Sequence, residues 1–102
     1  MGKRRSRVKR HAKETVIRLG EHRCALAGPR CTTVATTVDH WVPLASGGAN
    51  AMVNLRAACE RCNQDKGVMM PDEWWSFVRD AAEFAAEPPV ELRQTLGDLF
   101  AA

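Results

Sequence analysis

Four cysteines in two closely spaced pairs constrain the fold of this chain more than any other feature of its sequence. Cys24 and Cys31 are separated by six residues that include a Gly-Pro turn, and Cys59 and Cys62 are separated by two. Two short-spaced pairs can converge on one tetrahedral metal site, because each pair places its sulfurs close together on one turn. A chain of 102 residues has a small core, and chains of this size are often stapled by a metal or by disulfides.

The rest of the sequence favours a metal over disulfides. The basic N-terminus lacks the apolar stretch of a secretory signal peptide, and no apolar run approaches the ~20 residues that span a bilayer. We therefore expect a cytoplasmic protein without membrane association, in which thiols stay reduced. Four sulfur ligands leave no open position, so the expected ion is structural Zn2+. His22, close to Cys24, is an alternative ligand for the same ion. The alternative to a metal site is four buried cysteines with free thiols.

Charge is distributed unevenly along the chain. Residues 1–70 carry 13 lysines and arginines against 5 acidic residues, a net +8, whereas residues 71–102 carry 2 against 7, a net −5. Residues 1–13 contain seven of the cations and no acid. We expect residues 1–13 to form a basic arm that follows nucleic-acid phosphates, with a solubilising tail as the alternative.

The hydrophobic pattern predicts a small α+β domain. Residues 13–19 have the spacing of a short helix that ends at a glycine. Residues 32–38 are rich in threonine and valine and predict a strand, and residues 52–56 predict a second strand antiparallel to the first. A helix from residue 59 or 60 to about residue 68 follows, again with a glycine near its end.

A last amphipathic helix is predicted from Pro71, with Asp72 as its N-cap and Pro88-Pro89 as its stop. Its apolar residues recur at three- and four-residue spacing and are expected to pack over the core: Trp74, Phe77, Val78, Ala81 and Phe84. Three parts result, namely the basic arm 1–13, a zinc-containing domain 14–70, and a C-terminal helical extension 71–102 packed on that domain.

The central stretch also concentrates polar residues of the kinds used in catalysis. Asp39 and His40 follow the first predicted strand, and Asn54 and Asn63 come after them at His-x13-Asn-x8-Asn spacing. Histidine is the side chain best suited to general-base work near neutral pH. Taken singly, an Asp-His pair at a strand end or an asparagine in a turn has an ordinary structural explanation.

In order and spacing, these landmarks resemble the HNH endonuclease family. The matching residues are Val38-Asp39-His40, Pro43, Gly47-Gly48, Asn54-Leu55, Cys59-x2-Cys62-Asn63 and Lys66-Gly67. The small size, basic N-terminus and cysteine pairs are similar to stand-alone HNH proteins of phages and prophages, whose genes often lie beside DNA-packaging genes. The resemblance implies a ββα-metal, treble-clef-like core with structural zinc, flanked by N- and C-terminal helices.

The resemblance also implies a role for each polar residue. His40 would be the general base that activates water, and Asn54 would fix the following loop and help orient His40. Asp39 and Asn63 would hold a catalytic divalent ion, with Asn63 standing where most of the family has a final histidine. Oxygen ligands favour Mg2+ or Mn2+, while Ni2+ and Zn2+ stay open as alternatives.

The implied activity is hydrolysis of phosphodiester bonds in duplex DNA, by nicking or by cutting both strands, to leave a 5′-phosphate and a 3′-hydroxyl. Arg56, Arg61 and Lys66 are candidate phosphate contacts, with surface solvation as the alternative. A phage origin would place the protein in the cytoplasm of a bacterial host cell, with terminase proteins as candidate partners. The competing hypothesis is a non-catalytic, zinc-stabilised module that binds nucleic acid or protein. His40 discriminates between the two, because a binding module has no use for a base there.

Overall fold

The computed structural model describes residues 8–86. Its helices and strands follow the order α1 (Arg10–Leu19), β1 (Thr37–His40), β2 (Leu55–Ala58), α2 (Glu60–Lys66) and α3 (Pro71–Ala86). Predictions for residues 1–7 and 87–102, including the first half of the basic arm and the Pro88-Pro89 stop, lie outside the described residues. Within residues 8–86, no helix combines the length and the apolar character needed to cross a membrane.

The two strands form an antiparallel sheet, and α2 follows β2 directly. The predicted ββα order, with helices before and after it, is therefore confirmed. The register pairs Asp39 with Arg56 and His40 with Leu55, so the Asp-His pair occupies the last two positions of β1. Helix α1 packs against both strands and α2 packs against β1, which places helices beside the residues at the strand end.

The observed first strand begins later than predicted and continues through His40. Within residues 32–36, the N–H groups of Thr32 and Thr33 donate to cysteine sulfurs and not to a neighbouring strand. Thr33 has a left-handed backbone (φ 69°), which is unusual for a β-branched residue, and Val34 forms only an isolated bridge with Arg23. The prediction for this segment was wrong because hydrogen bonds from its backbone to the cysteine sulfurs outweigh the strand propensity of threonine and valine.

Two other element boundaries differ from the predictions. The second strand begins at Leu55, because Met52–Asn54 form a short 3-10 turn. Helix α1 begins at Arg10, inside the predicted basic arm, and no side chain caps its N-terminus. A sequence without a capping residue gives little signal of where a helix begins.

The core is small and centres on Trp74 in the first turn of α3. The indole is fully buried, and its N–H donates a hydrogen bond to the carbonyl oxygen of Leu26 at 3.1 Å. The ring packs with Ala58 and with two of the cysteines. A Cβ on Gly28 would lie 2.7 Å from the indole, so glycine is required at this close approach.

The apolar face of α3 covers the core only through its first turns. Trp74 is buried and Val78 packs partly against the core, but Phe77 and Phe84 are 38% and 76% exposed. The prediction that the whole face packs over the core was therefore wrong for Phe77 and Phe84. The core beneath is too small to cover a helix of 16 residues.

The start of α3 also differs from the prediction. The helix begins at Pro71, so Asp72 lies in its first turn and is not the N-cap. The Glu73 carboxylate accepts a hydrogen bond from the Met70 N–H at 2.7 Å, which is half of a capping box. Proline in the first helical position suits this arrangement, because it has no N–H to leave unsatisfied there.

Candidate functional site

The two cysteine pairs meet in space. The Sγ atoms of Cys24, Cys31, Cys59 and Cys62 all lie within 4.8 Å of one another. Tetrahedral zinc with Zn–S distances of about 2.3 Å requires sulfurs roughly 3.8 Å apart, so the cluster needs only a small contraction to close around an ion. No other group of three or more His, Cys, Asp or Glu side chains in residues 8–86 could hold a metal, and His22 does not belong to this one.

Backbone N–H groups point at these sulfurs. The N–H of Gly28 donates to Cys62 Sγ at 3.3 Å, and those of Thr32 and Cys62 donate to Cys59 Sγ at 3.4 Å. Burial opposes ionisation of Cys59, but hydrogen bonds from Thr32 and Cys62 outweigh it and lower its pKa to about 6. Burial raises the pKa of Cys31 and of Cys62. A cation would offset the repulsion between four thiolates, so the residues fit a structural Zn2+ ion.

A second site lies where β1 ends. Asp39, His40 and Asn63 line one cleft of about 350 Å3, whose wall also includes Val8 before α1. Asn63 directly follows Cys62, so the cysteine cluster sets where its side chain lies. A larger cavity of about 770 Å3 adjoins the cysteine loops but contains none of these three residues. The smaller cleft is the candidate active site, because it is lined by the predicted base and by both predicted metal ligands.

A buried ion pair holds Asp39. The Lys66 ammonium lies 3.0 Å from Asp39 Oδ2, and the two side chains are 0% and 7% exposed. The ammonium also donates to the His40 carbonyl oxygen at 3.3 Å and lies 5.6 Å from the centre of the Trp41 ring. Burial raises the pKa of Asp39, against the opposing effect of Lys66. The predicted phosphate contact of Lys66 does not fit this burial, and the residue is instead a counter-ion to Asp39.

Asp39 and Asn63 present side-chain oxygens in the cleft. Asp39 Oδ2 is buried, and its close polar contact among the described residues is the Lys66 ammonium at 3.0 Å. The side-chain amide of Asn63 is half-buried and makes no hydrogen bond within residues 8–86. A carboxylate and an amide oxygen in one cleft match the ligands of a hard divalent ion, so these residues fit such an ion as well.

Asn54 ties together the loop that follows His40. Its Oδ1 accepts the Val42 N–H at 2.9 Å, and its Nδ2 donates to the carbonyl oxygens of Val42 at 2.9 Å and Ala49 at 2.8 Å. The loop backbone is so close-packed that a Cβ on Gly48 would lie 1.8 Å from the Val42 oxygen. The Asn54 side chain is buried, and its three bonds tie backbone groups from both sides of the loop to one amide.

The loop supplies a partner for His40 that was not predicted from the sequence. His40 Nε2 lies 3.0 Å from Asn50 Oδ1. Asn50 directly follows Ala49, the residue whose carbonyl oxygen Asn54 holds. Asparagine is common in glycine-containing turns, so nothing in the local sequence marks Asn50 as functional.

The two other predicted DNA contacts lie in different environments. Arg61 is exposed on α2. The Arg56 guanidinium donates to the carbonyl oxygens of Val53 and Leu55 at 3.0 and 3.1 Å, and it lies 5.5 Å from the centre of the Trp41 ring. Arg56 is therefore already engaged by the backbone of its own strand and of the turn before it, whereas Arg61 is exposed to solvent.

Comparison with known proteins identifies a family that this chain matches. Residues 24–75, about half of the chain, match a family described as HNH endonuclease. Over 45 residues the chain is 47% identical to the CRISPR-associated endonuclease Cas9 of Corynebacterium diphtheriae, in a match that covers 43% of this chain and 4% of that protein. The chain thus spans a small fraction of the length of this relative. No solved structure matches the chain.

Proposed function

The chain belongs to the HNH endonuclease family, and from this premise we propose that it is a metal-dependent endonuclease that hydrolyses phosphodiester bonds in DNA. The observation that carries the proposal is the shared cleft, where Asp39, His40 and Asn63 lie together although Asn63 is distant from the other two in sequence. A base and two oxygen donors in one cleft supply what hydrolysis of a phosphodiester needs.

His40 is the proposed general base. It ends β1, is half-buried, and lines the cleft in which a water molecule and a phosphate would meet. Histidine can accept a proton from the attacking water near neutral pH, and such a base typically contributes a rate factor of ~100 to ~10 000. Asn54 supports this role indirectly, by holding the loop that follows the histidine.

Asp39 and Asn63 are the proposed ligands of the catalytic divalent ion. Their oxygens suit Mg2+ or Mn2+, with Ni2+ and Zn2+ as alternatives. A divalent ion bound there would stabilise negative charge on the phosphate and on the leaving oxygen. Lys66 keeps Asp39 close to its observed position before the ion binds, since a buried carboxylate without a counter-ion would be costly.

DNA is proposed to approach the cleft from the side of α1. Val8 lies in the cleft wall, and the next residues, Lys9 and Arg10, are exposed. Cations of the arm 1–13, together with Arg61, would contact phosphates and add salt-sensitive affinity without reading bases. A role in the cytoplasm of a bacterial host, beside phage terminase proteins, is the biological setting we propose from the resemblance to stand-alone phage proteins.

The proposed activity has a direct test. Purified zinc-loaded protein with Mg2+ or Mn2+ is expected to convert supercoiled plasmid to nicked or linear forms, because the cleft combines a base with ligands for a hard ion. Excess EDTA is expected to stop cleavage, and added Mg2+ to restore it. Zinc content and the circular dichroism spectrum are measured after EDTA, as a control for loss of the structural ion. Binding without cleavage across Mg2+, Mn2+, Ni2+ and Zn2+ would contradict the proposal and favour the zinc-stabilised binding module.

A further inference from the structure

The contact between His40 and Asn50 bears on which nitrogen of the imidazole ring carries the proton. His40 Nε2 lies 3.0 Å from Asn50 Oδ1. An amide oxygen accepts hydrogen bonds and cannot donate them, so the ring nitrogen that faces it must carry the proton. In a neutral imidazole, a proton on Nε2 leaves Nδ1 with the free lone pair.

We propose that Asn50 is a positioning residue that fixes the tautomer and orientation of His40, so that Nδ1 is the atom that takes the proton from the attacking water. The proposal rests on the proposed function of His40 as a base. In this step Nδ1 takes a proton from water, and the water oxygen forms a bond to phosphorus. The bond from phosphorus to the 3′ oxygen breaks, and that oxygen leaves with the electron pair and takes a proton from solvent.

The loop backbone explains how one asparagine can hold the ring. Asn50 is exposed, so water competes for its amide and the bond matters only if the loop keeps that amide in place. Asn54 donates to the carbonyl oxygen of Ala49, next to Asn50, at 2.8 Å. Gly48 N–H donates to the Pro43 carbonyl oxygen at 2.9 Å, which closes the loop from the other side. The residues before Asn50 are thus tied to the segment that follows His40.

The tautomer can be measured without any assay of activity. The chain contains three histidines, so nitrogen-15 correlation spectra hold few imidazole signals, and His40→Ala identifies the relevant one. Under mildly alkaline conditions, with zinc bound and no added divalent ion, His40 is expected to carry its proton on Nε2. Asn50→Ala is expected to move the signal toward a mixture of tautomers. A proton on Nδ1 in the unsubstituted protein would overturn the proposal.

Kinetics provide a second readout. Asn50→Ala is expected to lower kcat about tenfold or more, a part of the ~100- to ~10 000-fold that a general base contributes, while KM for DNA changes little. Asn50→Asp keeps an accepting oxygen in the same place and should recover most of the loss. The matched control is Ser46→Ala, at an exposed position of the same loop, and we expect no change there.

The outcomes separate this proposal from the proposed function. Full activity of Asn50→Ala with an inactive His40→Ala would overturn the positioning role and leave the nuclease assignment in place. An effect of Asn50→Ala on KM alone would also overturn it, because Asn50 would then contact DNA and not the base. Absence of cleavage by the unsubstituted protein would count against the proposed function, while the spectra would still decide the tautomer.

Discussion

Cys59→Ser is expected to leave the chain unfolded, or close to unfolded, at room temperature. Cys59 contributes one of the four clustered sulfurs, caps the N-terminus of α2 and accepts the N–H groups of Thr32 and Cys62. Structural zinc contributes about 10–16 kcal/mol to the folding of small zinc domains, whereas a whole domain is stable by only about 5–15 kcal/mol. A core centred on a single tryptophan cannot offset a loss of that size.

Thermal unfolding followed by circular dichroism, together with metal analysis, tests this expectation. The unsubstituted protein should bind one zinc ion per chain and unfold cooperatively, and Cys59→Ser should do neither. Gln64→Ala is the matched control, because Gln64 is exposed on the same helix and its replacement should change stability by less than about 0.5 kcal/mol. A zinc-free protein with an unchanged melting temperature would contradict the assignment of a structural ion.

Lys66→Met is expected to cost about 3–5 kcal/mol of folding stability, the usual penalty for removing one partner of a buried ion pair. Methionine retains much of the packing against Trp41 but leaves Asp39 buried without its counter-ion. Burial already raises the pKa of Asp39. Loss of Lys66 removes the main effect that opposes burial, so the pKa of Asp39 rises further in the variant. The penalty should therefore shrink as pH falls through the pKa of Asp39 in the variant and the carboxyl takes up a proton, within the range where zinc stays bound.

Urea denaturation of the zinc-loaded proteins measures this penalty. Arg61→Met is the matched control, since Arg61 is an exposed cation on the same helix and should lose less than about 0.5 kcal/mol. Equal stability of Lys66→Met and the unsubstituted protein would mean that the ion pair does not hold Asp39. Restoring the charge alone, in Lys66→Arg, should recover only part of the loss, because the longer and broader group does not fit the same buried space.

The sequence predicted those parts of the fold that depend on short-range patterns. Cysteine spacing predicted the cluster, and the order of apolar segments and glycines predicted two strands followed by a helix, because both signals act over a few residues. The predicted start of β1 was wrong because a local pattern does not include contacts with distant residues. Residues 32–36 have the composition of a strand, but Thr32 and Thr33 donate their N–H groups to sulfurs of the cluster.

The environments of Lys66 and Asn50 could not be read from local patterns. Lys66 is buried only because Asp39, the His40 carbonyl group and Trp41 converge on it from another part of the chain. A lysine near the end of a short helix is normally exposed, so a surface role was the natural prediction. Asn50 contacts His40 only because the loop turns back toward the end of β1. The glycines in the sequence predict a loop, but they do not predict its course in three dimensions.

His40 lies at the centre of the proposed site, and its replacement tests that site most directly. The measurement is the single-turnover rate of plasmid cleavage by His40→Ala and by the unsubstituted protein, with DNA affinity and zinc content determined on the same samples. We expect the rate to fall by ~100- to ~10 000-fold, the contribution of a general base, while DNA affinity and zinc content stay unchanged. Cleavage by His40→Ala at the unsubstituted rate would contradict the assignment of this cleft as the nuclease site.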